Sequence, residues 1–212
     1  MAIALALQKE LLARLAAATV GAVVLALTLG TLGEQISEPV HWSIAFRQID
    51  AAASAFFILA DDEETMAGMY PVTEKRARGA EYLRARSWSV FSEDRATWIG
   101  KKLQDKFEVL RPGVCAGYLQ SIKAVGGSAL RLTGDVFVNR TCPGEPVEIV
   151  ITNGNGIIVG LGRTTLPVFT PGGGKESGFL AYAGIEGGAN DLLVYAGGPD
   201  RRVSLLMNVR YP

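Results

Sequence analysis

Residues 152–162 read TNGNGIIVGLG, directly after the apolar run VEIVI at 147–151. Gly154, Gly156 and Gly160 imitate the spacing of a dinucleotide-binding turn. That turn needs a strand, the glycines, and then a helix whose N-terminus faces the pyrophosphate. Here Gly156 is followed by IIVGLGRTTLP, rich in β-branched residues and glycine and closed by Pro167. Such a composition propagates a strand well and a helix poorly. Asn153-Gly154 and Asn155-Gly156 are hairpin dipeptides, because both residue types tolerate positive φ. The stretch reads as the turn and return strand of a β-hairpin.

Working outward, the same grammar fills the C-terminal half. AGYLQSIKAV, ALRLTGDVFV, PVEIVIT, IIVGLGRTT, GFLAYAGI, DLLVYAG and RVSLLMNVRY are β-rich runs separated by Gly, Pro and Asn clusters. Short strands at regular spacing, with no helical pattern between them, predict an all-β antiparallel sandwich of about seven strands over residues 113–212. Residues 36–112 predict an α-helical neck. Ile44, Ala45, Ile49, Ala52, Ala53, Phe56 and Phe57 recur at helical spacing, and further helices are expected over 73–86 and 94–107.

The N-terminal segment, residues 1–35, predicts a cytoplasmic tip and a transmembrane anchor. Residues 15–33, LAAATVGAVVLALTLGTLG, are 19 in number and carry no charge. As a helix they cover roughly 28 Å, near the hydrocarbon thickness of a bilayer. Lys9 and Arg14 precede the run while Glu34 and Glu38 follow it, so the positive-inside bias puts the N-terminus in the cytoplasm. A cleaved signal peptide is the competing reading, but the apolar core is long and no small-x-small cleavage site follows. Ala18, Ala22 and Ala26 form a small-residue stripe that suits a partner helix.

Charge and chemistry narrow the function. Twenty-one Lys plus Arg offset 21 Asp plus Glu, which leaves no field for nucleic acid. His41 is the only histidine and stands beside Trp42, a poor base for a hydrolase triad. PGGGKES departs from a phosphate loop because Glu176 follows Lys175. Asp61, Asp62, Glu63 and Glu64 suit a solvated helix cap better than an acid–base pair. No catalytic residue, cofactor or metal site is expected. Cys115 and Cys142 lack metal-ligand neighbours, and in an oxidising compartment their pairing would contribute about 3 kcal/mol.

Two surfaces remain as candidates. Lys75, Arg76, Arg78, Arg84 and Arg86 offer contact with lipid headgroups, or else form a solvated face neutralised by Glu74 and Glu81. Tyr118, Phe137, Tyr182 and Tyr195 lie in strand-like runs, where period-two spacing favours the core. Were they exposed, Tyr118 and Tyr182 would form a sugar-stacking platform. The Asn139-Arg140-Thr141 sequon carries little weight in a composition rich in Ala, Gly and Arg that looks bacterial.

The series LADDEETMAGMYP, EYLRARSWSVFSE and WIGKKL, running into CAGYLQSI, LRLTGDVFV, PVEIVITNGNGIIVGLG, ESGFLAYAG and LLVYAG, resembles a known architecture. It is similar to the extracytoplasmic C-terminal region of bacterial polytopic membrane proteins of the glycosyltransferase C type. The resemblance covers roughly residues 15–205. Its marks are Cys115 with Gly117, the hairpin from Gly156 to Gly160, and Ser177 to Phe179. It implies a last transmembrane helix, a helical segment and a β-sandwich, without the multi-helix catalytic body. The expectation is a non-catalytic single-pass protein of the bacterial inner membrane, with its bulk in the periplasm. The sandwich would be an accessory module binding protein, glycan or lipid-linked sugar. The alternative is a structural subunit of a larger integral-membrane complex, and an enzyme acting on lipid-linked sugar ranks last.

Overall fold

The structure, a computed structural model, describes residues 49–66, 73–87, 91, 94–111, 113–138, 142, 146–164, 168–169, 175–185, 191–198 and 200–211. All fall in one compact unit, Phe46–Pro212. The anchor run with Ala18, Ala22 and Ala26, and the His41-Trp42 pair, lie outside the described residues. Among the described residues no helix is long and apolar enough to cross a membrane.

Residues 49–57 form helix α1, followed by α2 (Glu63–Met66), α3 (Thr73–Ala85), a 3-10 turn (Asp94–Thr97) and α4 (Leu103–Lys106). The strands are β1 (Glu108–Val109), β2 (Ala116–Val125), β3 (Ala129–Val138), β4 (Glu148–Asn153), β5 (Ile158–Thr164), β6 (Val168–Phe169), β7 (Lys175–Gly184), β8 (Asp191–Gly197) and β9 (Arg202–Arg210). The seven long strands occupy the seven β-rich runs of the sequence. β1 and β6 have two residues each and no pattern that would announce them.

The β-rich expectation holds, but the pairing departs from two separate layers. The strands form one hydrogen-bonded sheet in the order β1-β9-β8-β4-β5-β7-β3-β2, with β6 paired to β7 off that path. Every pair is antiparallel except β1 with β9. The sheet curls until its far strands meet: a Cβ on Gly117 of β2 would lie 3.1 Å from Leu206 of β9. Right-handed twist accumulating over so many strands supplies the curl.

Alternation then sorts the side chains. Leu130, Leu132, Ile149, Ile151, Phe179, Ala181, Leu192 and Val194 fill the inner face. Val150, Leu161, Tyr182 and Val203 point to the outer face, where they meet Phe57, Met66, Trp98, Leu103 and Phe107 of the helical segment. A fully buried side chain of this size contributes about 2 kcal/mol relative to exposure. The helical segment therefore shares a core with the sheet. α1 suits this place because Ala51, Ala52, Ala53 and Ala55 are all buried, letting Phe56 and Phe57 lie close to the strands.

The helix expected over 94–107 is broken. Gly100 adopts φ +81°, and the chain then leaves helical geometry to pair with the β4–β5 hairpin. Gly100 N–H donates to Ile158 O at 2.8 Å, Ile158 N–H to Lys101 O at 2.8 Å, and Leu103 N–H to Gly156 O at 2.9 Å. In the opening stretch, Asn153 Oδ1 accepts from Asn155 N–H at 3.0 Å and Ile157 N–H at 3.1 Å, and Gly156 takes φ +74°. The hairpin reading of TNGNGIIVGLG is what the chain adopts.

Candidate functional site

Three polar or aromatic constellations are built on the sheet. The first lies under α2. Asp62 accepts from Tyr182 Oη at 2.7 Å, Thr65 Oγ1 at 3.1 Å and Arg131 Nη1 at 3.0 Å. Arg131 Nη2 also reaches Glu64 at 2.8 Å, and Lys123 Nζ reaches the same carboxylate at 3.3 Å. Burial opposes the charge on Asp62, but the Tyr182 hydroxyl, Arg131 and Thr65 outweigh it and hold its carboxyl below the usual range. Hydrogen bonds from Arg131 and Lys123 lower Glu64 likewise. Asp62 also accepts from Glu64 N–H at 3.2 Å, capping α2. The expectation of a solvated acidic cap is corrected at this residue, which is 3% exposed.

The second constellation lies beneath the 3-10 turn. Arg95 Nε is 3.0 Å from Glu148 Oε2, and Arg163 Nη2 is 2.7 Å from Glu148 Oε1. Arg163 Nη1 reaches Asp50 of α1 at 3.4 Å, and Arg95 Nη2 donates to Gly162 O at 3.2 Å. Arg95 and Glu148 are both buried. Buried charges must be paired to be tolerated, and both sets do this by joining the helical segment to the sheet. They tie the helical segment to the sheet, with the opposite charges set against each other.

The third lies on the part of the outer face beside the β2–β3 edge. Tyr118 and Phe137 are 44% and 41% exposed, with ring centroids 5.9 Å apart. Pairing of Ala116 with Phe137, Tyr118 with Asp135, and Ser121 with Thr133 puts these residues on one face. Gln120 Nε2 donates to Asp135 Oδ2, and the Ser121 and Thr133 hydroxyls are 2.8 Å apart. Six residues of strand make this ledge about 20 Å long. Its chemistry is a pair of aromatic faces followed by a carboxylate, an amide and two hydroxyls.

The residues singled out in the sequence separate accordingly. Tyr182 is wholly buried beneath α2, as the core reading expects, whereas Tyr118 is exposed, so the alternative Tyr118–Tyr182 platform does not form. Phe137, which alternation assigned to the core, stands in Tyr182's place beside Tyr118. Lys75, Arg76, Arg78 and Arg84 lie on α3 and Arg86 just beyond it. Three of them have separate surroundings: Arg78 is exposed, Arg84 donates to the Phe56 and Phe57 carbonyls at the end of α1, and the Arg86 guanidinium lies 3.8 Å from the Tyr82 ring centre. Cys115 and Cys142 are bonded to each other, with Cα atoms 4.6 Å apart. Among the described residues no group of three potential metal ligands is found.

No protein-family model matches the chain, and no curated protein sequence matches it. Among solved structures, one match is a chain of the human pre-T cell receptor crystal structure, at 16% identity and a TM-score of 0.33. It covers 46% of this chain and 99% of that one. A likeness of that degree does not establish a common fold.

Proposed function

We propose that this chain is a non-catalytic accessory module, anchored in the bacterial inner membrane by residues 15–33, whose curled sheet binds a glycan in the periplasm. The observation that carries this reading is the adjacent, exposed Tyr118 and Phe137 pair. Aromatic faces bury the apolar side of a sugar ring, and a few placed polar groups orient it. Gln120, Ser121 and Thr133 are such groups, in line with the two rings, with the buried Asp135 carboxylate holding the Gln120 amide in place.

Screening the purified protein against a glycan array tests the reading. Tyr118→Ala and Phe137→Ala should each abolish retention of the bound glycan while leaving the melting temperature within a few degrees. A glycan retained equally by both variants, or no glycan retained by the wild type, overturns the proposal.

A second reading, a structural subunit of a larger integral-membrane complex, is favoured by the Ala18, Ala22 and Ala26 stripe together with the ion pairs that fasten the helical segment to the sheet. Such a segment would present a rigid surface to neighbouring subunits. Purification in mild detergent with stoichiometric partners supports it, and purification without any sets it aside.

A further inference from the structure

Between the end of α1, the end of α3 and the 3-10 turn lies a cleft of about 280 Å³. Phe57, Phe91 and Ile99 supply its apolar wall, and Arg84, Ser87 and Thr97 its polar one. The Phe57 and Phe91 rings are buried and meet edge to face, with centroids 6.1 Å apart. Arg84 is fixed in place before any ligand arrives. Its Nη2 donates to the Phe56 and Phe57 carbonyls, and its guanidinium carbon lies 5.2 Å from the centre of the Phe91 ring. Those bonds use one nitrogen of the fork, so Nε and Nη1 keep their hydrogens for another acceptor. Among the described residues no carboxylate pairs with Arg84. Asp94, the acid of the neighbouring turn, is instead bound by Arg201 and the Thr97 hydroxyl.

Ser87 is the second sign. It follows α3 at φ +52°, the left-handed position at which a helix commonly ends on glycine. Its N–H donates to Arg84 O at 3.1 Å and closes the helix. Serine there carries strain that glycine avoids, and among the described residues nothing binds its hydroxyl. Thr97 differs, because its hydroxyl already donates to Asp94 O at 2.7 Å. The side-chain donors left at the cleft are therefore Arg84 and Ser87, one helical turn apart and beside two aromatic rings.

We propose that this cleft binds an organic carboxylate with an apolar body of one or two rings. The carboxylate sits on Arg84 and Ser87, and the rings lie against Phe57 and Phe91. The volume is at the lower end for small-molecule sites, which sets the size of the body. The fixed guanidinium sets the sign of the charge, since hydrogen bonds from arginine to a carboxylate are among the stronger ones. The aromatic wall rewards a flat ring by edge or face contact. The cleft shares no residue with the Tyr118–Phe137 ledge, so this assignment stands apart from the glycan reading.

The test is a calorimetric titration of the full chain in mild detergent, against a blank of micelles alone. Naphthoate is the probe and naphthylmethylamine its cationic counterpart. Naphthoate should bind and the amine should not. Arg84→Gln should weaken naphthoate at least about tenfold, through loss of a hydrogen bond between charged groups. Ser87→Gly separates a binding role from a structural one. Its urea midpoint should hold or rise, because glycine relieves the left-handed strain, while naphthoate affinity falls severalfold. Naphthoate heats no greater than the blank overturn the proposal, as does equal binding of the amine. So does a Ser87→Gly variant that binds naphthoate as the wild type does, which also covers the event that Arg84→Gln does not fold.

Discussion

The Tyr182 hydroxyl lies 2.7 Å from Asp62 Oδ2, joining positions 120 residues apart and fastening α2 to β7. Both groups are buried, so neither finds water when its partner is removed. Tyr182→Phe keeps the ring in the core and takes away one donor to a charged carboxylate. The expected cost is about 2 kcal/mol in urea unfolding. A change within error would show that Arg131 and Thr65 satisfy Asp62 without it.

The same contact gives stability a dependence on pH at both ends. Asp62 is held below the usual carboxylate range, so its contribution is full above about pH 3.9, the unfolded value, and is lost as pH falls through the folded value. Burial, and then the neighbouring Asp62, push the Tyr182 phenol upward against Thr65. Its contribution is full below about pH 10 and is lost as pH rises through the folded value. Unfolding free energies measured across pH for wild type and Tyr182→Phe should diverge least in strong alkali. Parallel curves throughout the alkaline range would contradict the assignment.

The glycines of the opening stretch should separate into two classes. Gly156 takes positive φ with nothing near its missing Cβ, so Gly156→Ala costs conformational strain of about 1 kcal/mol. A Cβ at Gly160 would approach Ala183 Cα to 2.7 Å, and one at Gly162 would approach Ala181 Cα to 2.6 Å. There the β7 backbone itself must move, and each substitution by Ala should cost about 3 kcal/mol. Denaturant midpoints that rank Gly156→Ala as the most damaging would reverse this account.

The Cys115–Cys142 bond ties the start of β2 to the connection between β3 and β4 across 27 positions. Reduction, or the double change to Ser, should lower unfolding free energy by about 3 kcal/mol through the freed unfolded chain. Calorimetry with and without reductant reads this directly. An unchanged transition would mean the strand pairing alone holds this end of β2.

What was legible in the sequence is the local grammar. The long strands follow β-rich runs with Gly and Asn at their ends, and α3 spans Thr73–Ala85 where helical spacing placed it. Pairing between distant strands has no local signal, so alternation alone did not distinguish two stacked layers from one curled sheet. Tyr118 and Tyr182 sit in similar strand patterns, and only the placement of α2 decides that one is covered and the other exposed. Asp62 hides for the same reason among three exposed carboxylates. The Gln120 bulge reverses the phase of β2 and so aligns Tyr118 with Ser121 and Lys123, a shift that strict alternation does not anticipate. Gly100 was the one visible warning that a helix over 94–107 would break.

The short parallel pair β1–β9 has a mechanical consequence. The preceding chain enters β1 at one end, whereas the C-terminus leaves β9 at the other. Tension drawn along the polypeptide between α1 and Tyr211 would load the bonds from Glu108 N–H to Arg201 O and from Leu110 N–H to Val203 O together, in shear. Once the contacts of α1 and α2 with the sheet have given way, a protein pulled at its two sides meets at this pair a clamp that cannot be peeled one bond at a time.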